Sequence, residues 1–149
     1  MYTLQEASLI KKKFWTSFGQ YMRPITRAGG DTINWLNYKT GVRHIYFRMD
    51  ADMNYASIAI ELTHPDSLMR ELHYEQLRQV KKILEKSMGE EWNWKLHQEQ
   101  DGNILSRVSK MLPDVNILKE NDWPPIISFF KPRIIALDKF WLMVKDGFD

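Results

Sequence analysis

Between residues 42 and 62 the chain places His44, Tyr46 and Arg48 at alternate positions, then Tyr55, Ser57 and Glu61 on the alternate positions of a second run. A strand turns successive side chains to opposite sides, so each run falls on one face. The interleaved residues, Ile45, Phe47, Met49 and Ile58, Ile60, Leu62, are apolar and make the reverse side a core face. Arg48 across from Glu61 would form a charge-assisted pair. Tyrosine rings beside an arginine on an open sheet suit planar or anionic ligands, and also stacking on bases. If the later strand with Asn93, Lys95 and His97 joins the same sheet, Lys95 and His97 extend the set. The plainer account is that an α+β sheet keeps one solvated face, for which polar alternation is sufficient.

Nothing else in the chain spells a reaction centre. The four histidines, His44, His64, His73 and His97, lie on separate elements, with no HExxH and no His-x-His pair. His73 sits within an apolar helical stripe, where a satisfied boundary histidine is the ordinary case. No nucleophile elbow surrounds any serine. Gly29-Gly30-Asp31 lacks the spaced glycines and the Lys-Ser/Thr of a phosphate loop and reads as a turn. With no cysteine, a disulfide framework, a thiolate-ligated zinc and a thiol nucleophile are excluded. No catalytic residue, metal ligand or cofactor is therefore assigned.

These side chains must be held by something, and 149 residues suffice for one domain, 1–149, with a sizeable core. The content is 44% hydrophobic and 27% charged, which argues against disorder. A net charge of +2 is too small to argue for nucleic acid, and Lys11–Lys13 reads as a solvated helix face. The N-terminal stretch lacks the apolar run of a signal peptide, and no segment reaches the ~20 apolar residues of a membrane span. A cytoplasmic protein of bacterial style, with no membrane partner, is the expectation.

Residues 3–22 predict a helix, with Ala7, Ile10, Phe14, Phe18 and Tyr21 on one stripe, Thr3 as its cap and Pro24 beyond its end. A short strand at 33–37 and a tight turn closed by Gly41 lead into strands 42–50 and 55–62, antiparallel because the connection is short. A second helix runs from Asp66 or Ser67 to a stop at Gly89. Strands at 91–98 and 104–110 follow, with an edge piece at 115–118. The last helix starts at Asp122 and carries Pro132 inside its stripe, which predicts one kinked helix. It is apolar over more than one face, so it is either central or half of a homodimer interface. The order is α-β-β-β-α-β-β-(β)-α: an α+β fold, with a mainly antiparallel sheet of five or six strands and three helices.

The strings FWTSFGQYM, INWLNYKTG, HIYFRMDAD, ASIAIELTHPD, EWNW and NDWPPIISFFKPRIIALDKFW resemble a bacterial family described as domain of unknown function 4268, from about Glu6 to Phe148. Some relatives look like partners of restriction-type nuclease domains, which implies a nucleic-acid or defence context. A nuclease core of that type needs an Asp on one strand and a Glu-x-Lys on the next. Asp50 and Glu61 fit the first two places, but Thr63 stands where the lysine belongs. The leading expectation is thus a non-enzymatic binding module, whose polar-aromatic sheet face takes a ligand or protein partner. The alternative is a nucleic-acid-processing enzyme or accessory subunit.

Overall fold

The computed structural model describes residues 2–148. It is α+β, with a four-stranded antiparallel sheet in the order β1-β2-β4-β3, and four α-helices among the described residues. The strands are β1 (Ile45–Ala51), β2 (Tyr55–Leu62), β3 (Asn93–Gln100) and β4 (Asn103–Pro113). The helices are α1 (Leu4–Met22), α2 (Ser67–Gln79), α3 (Lys81–Met88) and α4 (Trp123–Val144). No helix among the described residues is long and apolar enough to cross a membrane.

Five or six strands and three helices were too many of one and too few of the other. The expected strand at 33–37 is a 3-10 turn at Trp35–Asn37. The Asn34 side chain accepts from the Leu36 N–H at 3.2 Å, and Trp35 Nε1 donates to the Ile25 carbonyl at 2.9 Å. A local side-chain acceptor competes with any ladder for that backbone. The expected edge piece at 115–118 is a loop whose Val115, Ile117 and Leu118 are nonetheless core residues. The long second helix breaks at Val80, whose backbone (φ −106°, ψ 18°) is not helical, and becomes α2 and α3.

Other elements form for the reasons their residues suggest. Thr3 and Glu6 make a reciprocal capping box at the start of α1. Phe14, Phe18 and Met22 carry its buried stripe, whereas Tyr21 turns outward and accepts from Lys131 Nζ at 3.1 Å. Asp101 and Gly102 both have positive φ (51° and 81°), the backbone that a two-residue hairpin between β3 and β4 demands. Pro132 lies within α4, which is assigned as one helix. That helix is central: Phe130, Ile134, Leu137, Phe140 and Trp141 are buried against the rest of this chain, which accounts for its apolar girth.

The core lies on one side of the sheet. Ile45 and Phe47 of β1, Ala56, Ile58, Ile60 and Leu62 of β2, and Val108 of β4 lie on the side that α4 and α2 cover, in one core with the buried residues of α1 and α3. Asp138 of α4 is the exception among these apolar residues, 1% exposed and fully used. Its Oδ1 accepts from Tyr38 Oη at 2.5 Å and from Arg27 Nη2 at 3.1 Å, and its Oδ2 accepts from the Ala28 N–H at 3.1 Å. Three residues of the long loop after α1 thus converge on one carboxylate. Burial, together with the bond to Asp138, pushes the Tyr38 hydroxyl well above the usual phenol range. One turn along α4, Trp141 Nε1 donates to the Thr40 carbonyl at 2.6 Å.

Candidate functional site

On the side of the sheet away from this core, the register sets side chains in rows. Tyr46 is paired with Glu61, Glu61 with Arg107 and Arg107 with Lys95, so one row crosses all four strands. At a strand spacing of about 4.8 Å, it spans roughly 14 Å. The next row is Arg48, Ala59, Ser109 and Asn93, and the third pairs Asp50, Ser57 and Met111. Tyr46, Arg48, Glu61 and Lys95, expected on this face, are brought together there.

Arg48 is 55% exposed, and its guanidinium lies 4.6 Å over the Tyr46 ring, with Nε 3.4 Å from Glu61 Oε1. Arg107 holds the other carboxylate oxygen, Nε to Oε2 at 3.2 Å. That nitrogen is buried and off the angle of a hydrogen bond, so attraction between charges is what joins the pair. Glu61 is therefore a carboxylate held between two arginines. Arg107 escaped the sequence reading because strand 104–110 alternates weakly. Its pairing opposite Glu61 could have been found by extending the parity of β2 to the next strand.

The other expected members sit differently. Tyr55 is half-buried and donates to Asp50 Oδ2 at 3.1 Å. Ser57 is buried, which the expectation of a wet face did not allow for: in a central strand, neighbours on both sides shut out water. Its hydroxyl makes no hydrogen bond with the described residues. Ser57→Ala is therefore expected to change stability by less than about 1 kcal/mol, read from urea midpoints.

His44 and His97 leave the face altogether, because both have positive φ (70° and 49°). His44 precedes β1 and turns to His64, their ring centroids 4.5 Å apart, with His64 in turn 6.3 Å from buried His73. His97 lies in a register shift between Lys95 and Gln98. Its N–H donates to Ser106 Oγ at 3.0 Å, and its ring turns to α2, where Nδ1 accepts from Arg70 Nε at 2.9 Å. A bulge re-aims one side chain in this way. Separate in sequence, the histidines gather beside the start of α2. No group of three or more potential metal ligands forms among the described residues.

Burial, followed by the nearby His64, Arg43 and His73, holds the His44 imidazole below its ordinary range. The unfolded chain then takes up that proton first. Stability is full above the unfolded value and declines as pH falls through about 6.5 towards the folded one. Urea midpoints at two pH values either side should show a larger acid loss for wild type than for His44→Asn, since asparagine tolerates this backbone. Equal losses would remove His44 from the account.

Asp50 and Glu61, the carboxylates considered for a nuclease core, share a face but not a place. Asp50 pairs with Ser57, four residues along β2 from Glu61, a separation of roughly 13 Å. Beyond Glu61 the face runs into a cleft of about 760 Å³, bounded by Arg48, Glu61, Thr63, Ser67, Arg70 and the hairpin tip at Gly102. A second cleft of about 630 Å³, between α1 and the loop before Trp35, presents one charged residue, Arg23.

No curated protein and no solved structure matches the chain. The family model described as a domain of unknown function (DUF4268) matches residues 10–145, nearly the whole length. The chain belongs to the DUF4268 family.

Proposed function

We propose that this chain is a non-enzymatic binding module, folded as one domain, whose uncovered sheet face receives a partner with planar and negatively charged groups. The observation that carries this reading is the Arg48–Tyr46 stack, its arginine side chain 55% exposed and its ring in one row with Glu61, Arg107 and Lys95. A guanidinium over a ring presents both a charge and a flat surface. Glu61, held by Arg48 and Arg107, orders that surface instead of attacking a substrate.

Single-stranded nucleic acid is the first ligand to try, because it supplies rings and phosphates together. Fluorescence anisotropy with a labelled oligonucleotide should show salt-dependent binding, weakened about tenfold or more by Tyr46→Ala or Arg48→Ala. Unchanged binding in both variants would end this reading. Metal-dependent cleavage of the oligonucleotide, lost in Glu61→Gln, would instead favour a nucleic-acid-processing enzyme.

A further inference from the structure

We infer that the cleft at the end of the sheet face takes a phosphate monoester of nucleotide size, with Arg70 as its principal anchor. The inference rests on the sheet-face reading for the orientation of the ligand but not for its anionic group.

Arg70 is 4% exposed, a burial that a cation rarely accepts without a carboxylate. Its Nε donates to His97 Nδ1 at 2.9 Å and its Nη1 to the His64 carbonyl at 2.8 Å, both neutral acceptors. Among the described residues no carboxylate lies within 4.0 Å of it, and Nη2 has no protein acceptor. The guanidinium is thus aligned from two sides, with one edge left for the cleft it lines. An anion there would answer the buried charge.

The rest of the lining narrows the class. Arg48 supplies a second guanidinium and Ser67 a hydroxyl, which with Arg70 are more donors than a single carboxylate can use, while the Thr63 hydroxyl is already given to the His44 carbonyl at 3.4 Å. The start of α2 is not the holder, because Asp66 Oδ1 already takes the Leu68 and Met69 N–H groups. Glu61 lines the same cleft, with Arg107 and Arg48 against it, so cations outnumber anions around this space. Its oxygens suit a hydroxyl on the ligand, at a distance from the phosphate. Pro65, Ile104 and Leu105 give an apolar wall for a ring, and the volume lies in the range of small-ligand sites.

Calorimetry on the full chain would compare AMP, adenosine, inorganic phosphate, and one oligonucleotide with and without a 5′-phosphate. AMP should bind at least about tenfold more tightly than adenosine, the worth of a charge-assisted hydrogen bond. Ser67→Asp sets a carboxylate in the cleft at an exposed helix start, where acids are tolerated. It should lower AMP affinity about tenfold or more without shifting the melting temperature, and Arg70→Lys should act in the same direction. Preference for the phosphorylated oligonucleotide over AMP would identify a strand end as the source, and the reverse a free nucleotide. Equal or undetectable binding of AMP and adenosine, or undiminished AMP binding by Ser67→Asp, would overturn the inference. Loss of oligonucleotide binding in Tyr46→Ala, with Ser67→Asp binding as wild type, would leave the sheet-face reading standing alone. The opposite pattern would sink that reading and leave the cleft.

Discussion

Asp138→Ala is expected to lower unfolding stability by about 3–5 kcal/mol, the usual result of leaving one side of a buried ion pair behind. The carboxylate is 1% exposed and accepts three hydrogen bonds, from Arg27, Tyr38 and Ala28. Alanine would strand all three donors at once, and Arg27 Nε already lacks an acceptor in this environment. Asp138→Asn should cost less, because an amide oxygen still accepts while the charge attraction is lost. Tyr38→Phe should cost about 0.5–1.5 kcal/mol, one ordinary hydrogen bond. Urea denaturation would rank the three, and a loss below about 1 kcal/mol for Asp138→Ala would mean that the clamp is unimportant.

The second large effect is expected at the centre of the sheet. Ile60 and Phe47 are paired across β1 and β2 and lie 0% and 6% exposed on the core side. Phe47 also stacks on Tyr38 at 4.9 Å and meets Trp141 edge-on at 5.7 Å. Truncating either residue to alanine removes apolar contact and leaves a cavity that a two-layer core closes only in part, at about 2–5 kcal/mol. Phe47 should stand at the upper end, since its loss also loosens the ring that carries the Tyr38 hydroxyl. If Ser57→Ala, on the opposite face of β2, destabilised as much as Ile60→Ala, the assignment of faces would be wrong.

That assignment could be read from the sequence because a strand repeats every two residues. The alternation of Tyr46 and Arg48 with Ile45 and Phe47 admits one arrangement once β1 pairs with β2. What could not be read depends on backbone that propensity does not signal. Positive φ at His44 and His97 sends both rings off the face, and neither residue is glycine. By helical period alone Arg70 falls on a solvated helix face, where arginine belongs by default. Only the fold brings His64 and His97 to it. Asp138 was legible in principle, as an acid four residues after Ile134 and three before Trp141 on an otherwise apolar stripe. The strand expected at 33–37 failed for a local reason, the Asn34 side chain, which short apolar runs do not reveal.

The fastening of the Arg27–Thr40 loop has a consequence for synthesis. Its anchors, Asp138 and Trp141, lie about a hundred residues further along the chain. A growing polypeptide can close the β1–β2 hairpin early and offer Phe47 to Tyr38, but this loop lacks its carboxylate and indole fastenings until the final helix has left the ribosome. Stalled chains ending before residue 123 are therefore expected to be cut by protease within residues 23–44, and release of the complete polypeptide should protect that stretch.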